Sequence, residues 1–414
     1  MENLRPWNQR WHALDTMIDQ TEKALPSGFS QEERVRALLR GLRAFGASQV
    51  QYFLANRSPV AREFPEAAVL GQTLTQIAAD LELIERLAHQ RAWGPLAGQQ
   101  ALAQADCWLT QILRSADPWL PERDQLFTTL ASLPGLRHLP YLGVVVMSLP
   151  YTCLGGDEDG LVRDWLEALP ALGRHLFRRG WAGAEPLAEA VRRRAGDLAA
   201  WSEPWLEPVF AEVFAGLTAG PAAALAAQDA ALALAPAQFN LAATPAGLPP
   251  CLAPKIHLRL LERLALDDWA ESLGQRWHTR LRQRGAPATV RLAGPITEIR
   301  LTHPRDELDA LTDAAYDELQ AQAAGPRTGW HSRYSQLNAY APHTLDTLYT
   351  DFAAGLEPAP PAFPPPPRTA GNWPARFIAA DRQARLALAP AGLADDVHDW
   401  LAVLRADGWL AWPV

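Results

Sequence analysis

Between Arg327 and His343 the chain gathers two histidines, two arginines, two tyrosines and a tryptophan within seventeen residues. Aromatic walls, a few directional donors and a cation are what a pocket for a small anionic ligand requires. On a helix, Tyr334 and Asn338, or Gln336 and Tyr340, would share a face. The ligand-binding candidates are therefore Trp330, His331, Arg333, Tyr334, Asn338, Tyr340 and His343. The competing reading is a junction whose aromatics pack a core and whose polar groups satisfy backbone ends. No residue in the segment is assigned a catalytic role.

Other polar groupings are weaker. Asp306, Asp309, Asp313 and Asp317 recur at helical spacing, and a hard cation would need further oxygen ligands, so they read as a solvated face. Asp267-Asp268-Trp269-Ala270-Glu271 fits an N-cap with an acidic first turn. Gly155-Gly156-Asp157-Glu158-Asp159-Gly160 lacks the terminal glutamate of a calcium loop and reads as a capping turn. Cys251, Lys255 and His257 share a proline-bent stretch, where a thiolate activated by Lys or His is conceivable. No histidine pair has zinc spacing, and no phosphate loop, dinucleotide glycine motif or nucleophile elbow is present. The sequence thus calls for no metal and no cofactor.

These groups must be positioned by a chain of 414 residues, long enough for two or three domains. The net charge is −8 and is spread along the chain, so a domain-wide basic footprint for nucleic acid is missing. Arginine clusters at 174–179, 192–194 and 276–284 would have to converge in one groove to change that. Lys23 and Lys255 are the only lysines, and with abundant Ala and Pro this fits the codon bias of a high-GC bacterial genome. The three cysteines are odd in number and far apart, which suits a reducing compartment. The first residues lack a signal-peptide core. The most apolar stretch, Leu139 to Leu154, is broken by Pro140 and Pro150 and is too short to span a bilayer. A cytoplasmic location follows as the expectation.

The first two-thirds reads as helix after helix. Ser30 to Glu33 forms a capping box before Val35, Leu38, Leu39, Leu42 and Phe45, with Gly46 as the stop. Leu74, Ile77, Leu81, Ile84 and Leu87 repeat the apolar stripe, with Asp80, Glu82, Glu85 and Arg86 assigned to the other side. Further amphipathic stretches fall near 99–114, 160–178, 185–200, 205–218, 221–235 and 255–284. The run Gly143 to Met147 fits a buried strand or a buried helix. Tryptophans at 119, 165 and 205 follow a loose echo suggestive of two-helix repeats.

The expected organisation is mainly α: a multi-helix array over 1–235, solenoid-like hairpins being one form of it. A Pro-rich irregular linker over 236–254, connecting helices over 255–285, and a smaller α+β region over 286–414 follow. That last region opens with a hairpin around Ala293-Gly294-Pro295 and a helix from Pro304. It contains seven prolines within 357–368, which must be extended or polyproline-like.

Two functional expectations follow. The leading one is a helical interaction or regulatory protein that binds another protein and displays an exposed apolar or aromatic patch. The alternative is an enzyme acting on a small anionic substrate around 327–343, where the two regions meet. Neither a nucleic-acid partner nor a membrane is expected.

Overall fold

The computed structural model describes residues 5–323, apart from 30, 55–65, 117–118, 121–124, 133, 155–165, 200, 243–246, 286, 288, 292–297 and 301–303. The described chain is mainly α-helical. Three long helices open it: α1 (Arg5–Ala24), α2 (Glu32–Leu54) and α3 (Glu66–Ala92). They bury the predicted stripe, with Leu38, Leu39, Leu42, Ile77, Ile84 and Leu87 fully enclosed. Gly46 does not end α2. It lies inside the helix, where a Cβ would overlap the ring of Trp11, so its missing side chain admits α1 to the groove. Ser30, the residue on which the expected capping box rests, lies outside the described residues; beside it Glu32 accepts the Gly28 amide at 2.6 Å, and Gln31 turns the chain at φ 65°.

After α4 (Leu96–Ser115) comes a sheet of β1 (Gln125–Ala131), β2 (Gly135–Leu139) and β3 (Val144–Pro150). The β-branched run at 144–147 is thus a buried strand. β3 occupies the centre, parallel to β1 and antiparallel to β2. Side chains alternate across the sheet. Phe127, Leu139, Val144 and Val146 join the core of α1–α3, whereas Leu126, Leu130, Met147 and Leu149 join the core on the other side. The sheet is a partition between two apolar bodies.

Behind it stand α5 (Ala168–Arg179), a two-strand ribbon of β4 (Trp181–Ala182) and β5 (Glu185–Pro186), α6 (Leu187–Ala195) and α7 (Leu206–Ala233). The stretches expected at 205–218 and 221–235 are two helical segments that meet at a kink, Gly220 standing outside helical geometry (φ 49°) ahead of Pro221. A residue preceding proline is pushed out of helical geometry, and this φ suits glycine. α7 is the one described helix long and apolar enough to cross a membrane, but 89% of its apolar window is buried inside the protein. It is a core helix.

The stretch 236–254 holds one turn, α8 (Pro236–Phe239), and a 3-10 turn over Pro250–Leu252. α9 (Ala253–Arg263), α10 (Asp267–Gln283), the hairpin of β6 (Thr289–Arg291) and β7 (Glu298–Arg300), and α11 (Pro304–Ala323) follow. Helices α5, α6, α9, α10 and α11 all pack on α7, so the packing here is radial, whereas a solenoid unit touches only its neighbours. Leu308, Leu311, Ala315 and Leu319 of α11 enter that same core. Of the tryptophan echo, Trp119 and Trp205 are buried, and Trp165 lies outside the described residues. The proline-rich stretch and the rest of the expected α+β region after Ala323 also lie outside them.

Candidate functional site

Trp330, His331, Arg333, Tyr334, Asn338, Tyr340 and His343 all lie outside the described residues, as does the glycine loop at 155–160. The remaining groupings can be followed to their partners. Cys251 is buried, and burial pushes its thiol up to about 12 despite the nearby Lys255. A group so held is a protonated thiol and a poor nucleophile. His257 turns instead to Glu212 of α7, with Nε2 and Oε2 2.9 Å apart, and its ring lies against Gly216, where a Cβ would meet Nδ1 at 3.0 Å. Asp267 and Asp268 sit exposed in the acidic first turn expected of α10, whose N-cap is Leu266 without a side-chain bond.

The acidic face of α11 is not simply solvated. Arg259 grips Asp313 through two bonds, at 2.7 and 3.1 Å, and Arg263 meets Asp317 at 2.5 Å. Both pairs are spaced by four residues on their helices, so they form two rungs between α9 and α11. The Asp313 carboxylate holds the Arg259 guanidinium above its ordinary value. Members of the arginine clusters are likewise engaged by carboxylates: Arg178 by Glu207, Arg192 by Glu189 and Glu203, Arg193 by Glu185, Arg194 by Glu318, and Arg276 by Asp229. Arg284 donates to the carbonyls of Leu232 and Leu234 at the end of α7, placing its charge where the helix dipole favours it.

The densest polar constellation lies where α2, α3 and α4 meet the free edge of β1. Asp106 is 3% exposed. It accepts bonds from Arg91 (2.7 Å), Gln31 (2.5 Å), and the amide and hydroxyl of Thr128 (both 2.7 Å). Arg91, equally buried, donates to the Thr128 carbonyl at 2.8 Å. Gln90 spans the next outward-facing residue, donating to the Leu130 carbonyl and accepting its amide, both at 2.8 Å. Arg34 reaches the Leu126 carbonyl and stacks 4.1 Å over Phe127. Three helices thus supply the hydrogen bonds that a neighbouring strand would make, which closes an edge otherwise open to pairing. A second knot surrounds Asp80, fully buried, which accepts from Gln76, Arg137 and Tyr141. Burial first, and the Asp80 charge second, hold the Tyr141 phenol well above its ordinary value.

Asp80 was expected on the solvated side of its helix and is instead at its core. The missed signal was legible. Asp80 falls three residues after Ile77 and four before Ile84. Arg91 falls four after Leu87, and Asp106 four after Leu102, so all three lie on the apolar stripe. A charge on that stripe must find a partner inside.

Among the described residues no group of three or more His, Cys, Asp or Glu side chains is arranged to hold a metal. His138 of β2 and His175 of α5 place their rings 5.2 Å apart. A shallow dish of about 570 Å³ runs along α10, lined by Glu271, Gly274, Gln275, His278, Thr279 and Arg282. All six belong to one helix, so no second described element faces them across the dish.

The surface offers one concentrated feature. Trp93 is 50% exposed, Leu96 70% and Tyr151 54%. Trp93 directly follows α3, its ring tilted against that of His89, and Leu96 opens α4 after the Gly94-Pro95 turn. Gln90, one turn before Trp93, lies 3.5 Å from the Tyr151 hydroxyl. The three side chains therefore gather at the corner where α3 turns into α4, beside the end of β3. Comparison with protein-family models, with curated proteins and with solved structures returns no match for this chain.

Proposed function

We propose that this chain is a cytoplasmic helical interaction or regulatory protein, and that its contact surface is the α3–α4 corner. The observation that carries the reading is the gathering there of Trp93, Leu96 and Tyr151, three of the five large apolar side chains most exposed among the described residues. Aromatic residues displayed together in this way are the usual anchors of a protein contact. The buried polar groups described above favour the same reading, because Asp106, Arg91, Gln90 and Asp80 are committed to architecture. Pairing of Arg178, Arg192, Arg193, Arg194 and Arg276 with carboxylates supports a protein partner over a nucleic acid.

A photo-crosslinking residue placed at Leu96 in cells tests this. A discrete adduct is expected there, absent when the probe stands at Met17 and abolished by Trp93→Ser or Tyr151→Ser. Identical products from both probe positions, or an adduct indifferent to Trp93 and Tyr151, would sink the reading.

A further inference from the structure

We infer that the outer face of α10 is a self-contact, on which a second copy of the chain packs antiparallel about a two-fold axis. The surface is a different one from the α3–α4 corner and does not depend on it. Glu271, Gly274, Gln275, His278, Thr279 and Arg282 line the shallow dish along this helix. Their spacing keeps them on one side. The opposite side anchors the helix, with Trp269, Leu273 and Trp277 buried and the Leu273 carbonyl held by Gln228 of α7. Of the dish residues, Gly274 is half-buried and the others are exposed.

Charge, glycine and symmetry all point outward. Glu271 and Arg282 stand at the two ends of the face, about 16 Å apart along the helix. Among the described residues neither meets a side chain of opposite charge; Glu271 accepts the Gln275 amide at 3.1 Å. Gly274 has no internal explanation. At Gly46, Gly173 and Gly216 a Cβ would collide with a neighbour at 2.2, 2.7 and 2.3 Å, whereas at Gly274 it would meet only Leu258, at 4.0 Å. Glycine inside a helix weakens it relative to alanine, and the open position admits a backbone arriving from outside. Finally, Glu271 with Arg282, Gly274 with Thr279, and Gln275 with His278 flank one midpoint, between Arg276 and Trp277. A two-fold axis there sets each Glu271 against the second copy's Arg282, and small Gly274 against Thr279. His278 Nδ1 lies 2.7 Å from the Gly274 carbonyl, so it carries its proton and Nε2 faces outward as an acceptor for the second copy's Gln275 amide. Such a contact closes with two copies and forms no chain. Being small and polar, it gives a weak, salt-sensitive dimer.

Sedimentation velocity of the intact chain over a concentration series tests this. A reversible monomer–dimer equilibrium in the micromolar range is expected, weakening several-fold as salt rises to about 0.5 M. Glu271→Arg or Arg282→Glu alone turns two attractions into two repulsions of similar size, so each should weaken association roughly tenfold or more. The variant carrying both should dimerise like the parent, and the two single variants should associate when mixed although neither does alone. Gly274→Leu should abolish the dimer without lowering Tm, because nothing inside the chain crowds that position. A chain that stays monomeric into the millimolar range would overturn the inference. So would single variants that dimerise like the parent, or a double variant that does not recover. A dimer lost on Trp93→Ser but kept in Glu271→Arg would assign self-contact to the α3–α4 corner instead. The crosslinking reading of that corner is tested separately, so failure here leaves it intact.

Discussion

Replacing Asp106 separates an ordinary buried ion pair from one that closes a strand. Asp106→Ala strands the Arg91 guanidinium, itself 3% exposed, without its carboxylate, and breaking one side of such a pair costs about 3–5 kcal/mol. The informative variant is the double replacement Arg91→Met with Asp106→Leu. Where two charges serve only each other, exchanging both for apolar side chains of similar size is close to neutral. Here the pair also holds the amide and the carbonyl of Thr128. Each becomes a buried orphan at about 1–3 kcal/mol, so the double variant should remain roughly 2–6 kcal/mol below the parent. Urea midpoints followed by far-ultraviolet circular dichroism give the comparison, with unchanged slope as the check that the same surface unfolds. Hydrogen exchange adds a local readout: the Thr128 amide should lose protection while the Leu130 amide, held by Gln90, keeps it. Recovery of the double variant to within about 1 kcal/mol of the parent would show that the edge does not depend on these side chains.

Three further outcomes follow from close contacts and ionisation. Gly173→Ala would place a Cβ 2.7 Å from the Ala211 Cα, backbone that cannot swing aside, so a loss of about 1–3 kcal/mol and a lower Tm are expected. Gly135→Ala, with nothing within 4 Å, is the matched control and should change stability by no more than about 0.5 kcal/mol. Cys251, with its thiol at about 12, should react with a maleimide near pH 8 about a thousandfold more slowly in the native protein than in urea. Because its folded value is raised, this thiol favours the folded state fully below the ordinary value of 9.0 and progressively less as pH rises toward about 12; an alkaline titration of Cys251→Ala beside the parent should show a shallower loss. Asp313→Asn with Asp317→Asn removes two ion pairs that are 28% and 46% exposed on the acidic side, so about 1 kcal/mol or less should be lost, vanishing toward 1 M salt.

Much of the helical framework was legible because its physics is local. The stripe from Leu74 to Leu87, the start of α11 at Pro304 and the hairpin at 289–300 follow from period and turn residues alone. The sheet was harder. β1, Gln-Leu-Phe-Thr-Thr-Leu-Ala, has five successive buried residues, so alternation, the signature of a half-buried strand, is erased. Gly46 resembles a stop because glycine ends many helices, and only the tryptophan arriving from α1 explains it. Gly220-Pro221, by contrast, was legible as the break between two helical stretches, because a glycine at positive φ ahead of a proline is a local signal. Asp80 was misplaced because, like Asp106, it is indistinguishable by type from surface acids, and only its position on the apolar stripe identifies it. The functional candidates at 327–343 stand beyond the described residues, and the aromatic corner depends on bringing Tyr151 beside Gln90, 61 positions apart.

The central place of β3 governs the order in which this protein can assemble. β2 and β3 are joined by four residues and pair as a local hairpin, which closes quickly. β1 precedes both, yet it must find the far side of β3, Gln125 meeting Val144 across nineteen positions. β2 lies between them in sequence and cannot intervene in space. Parallel pairing over that separation has a slower loop closure to overcome, and the helices that close the outer edge of β1 become useful only after it arrives. The α1–α3 body and the α7 body would therefore gather on a hairpin first, and the entry of β1 would be the step that seals them into one protein.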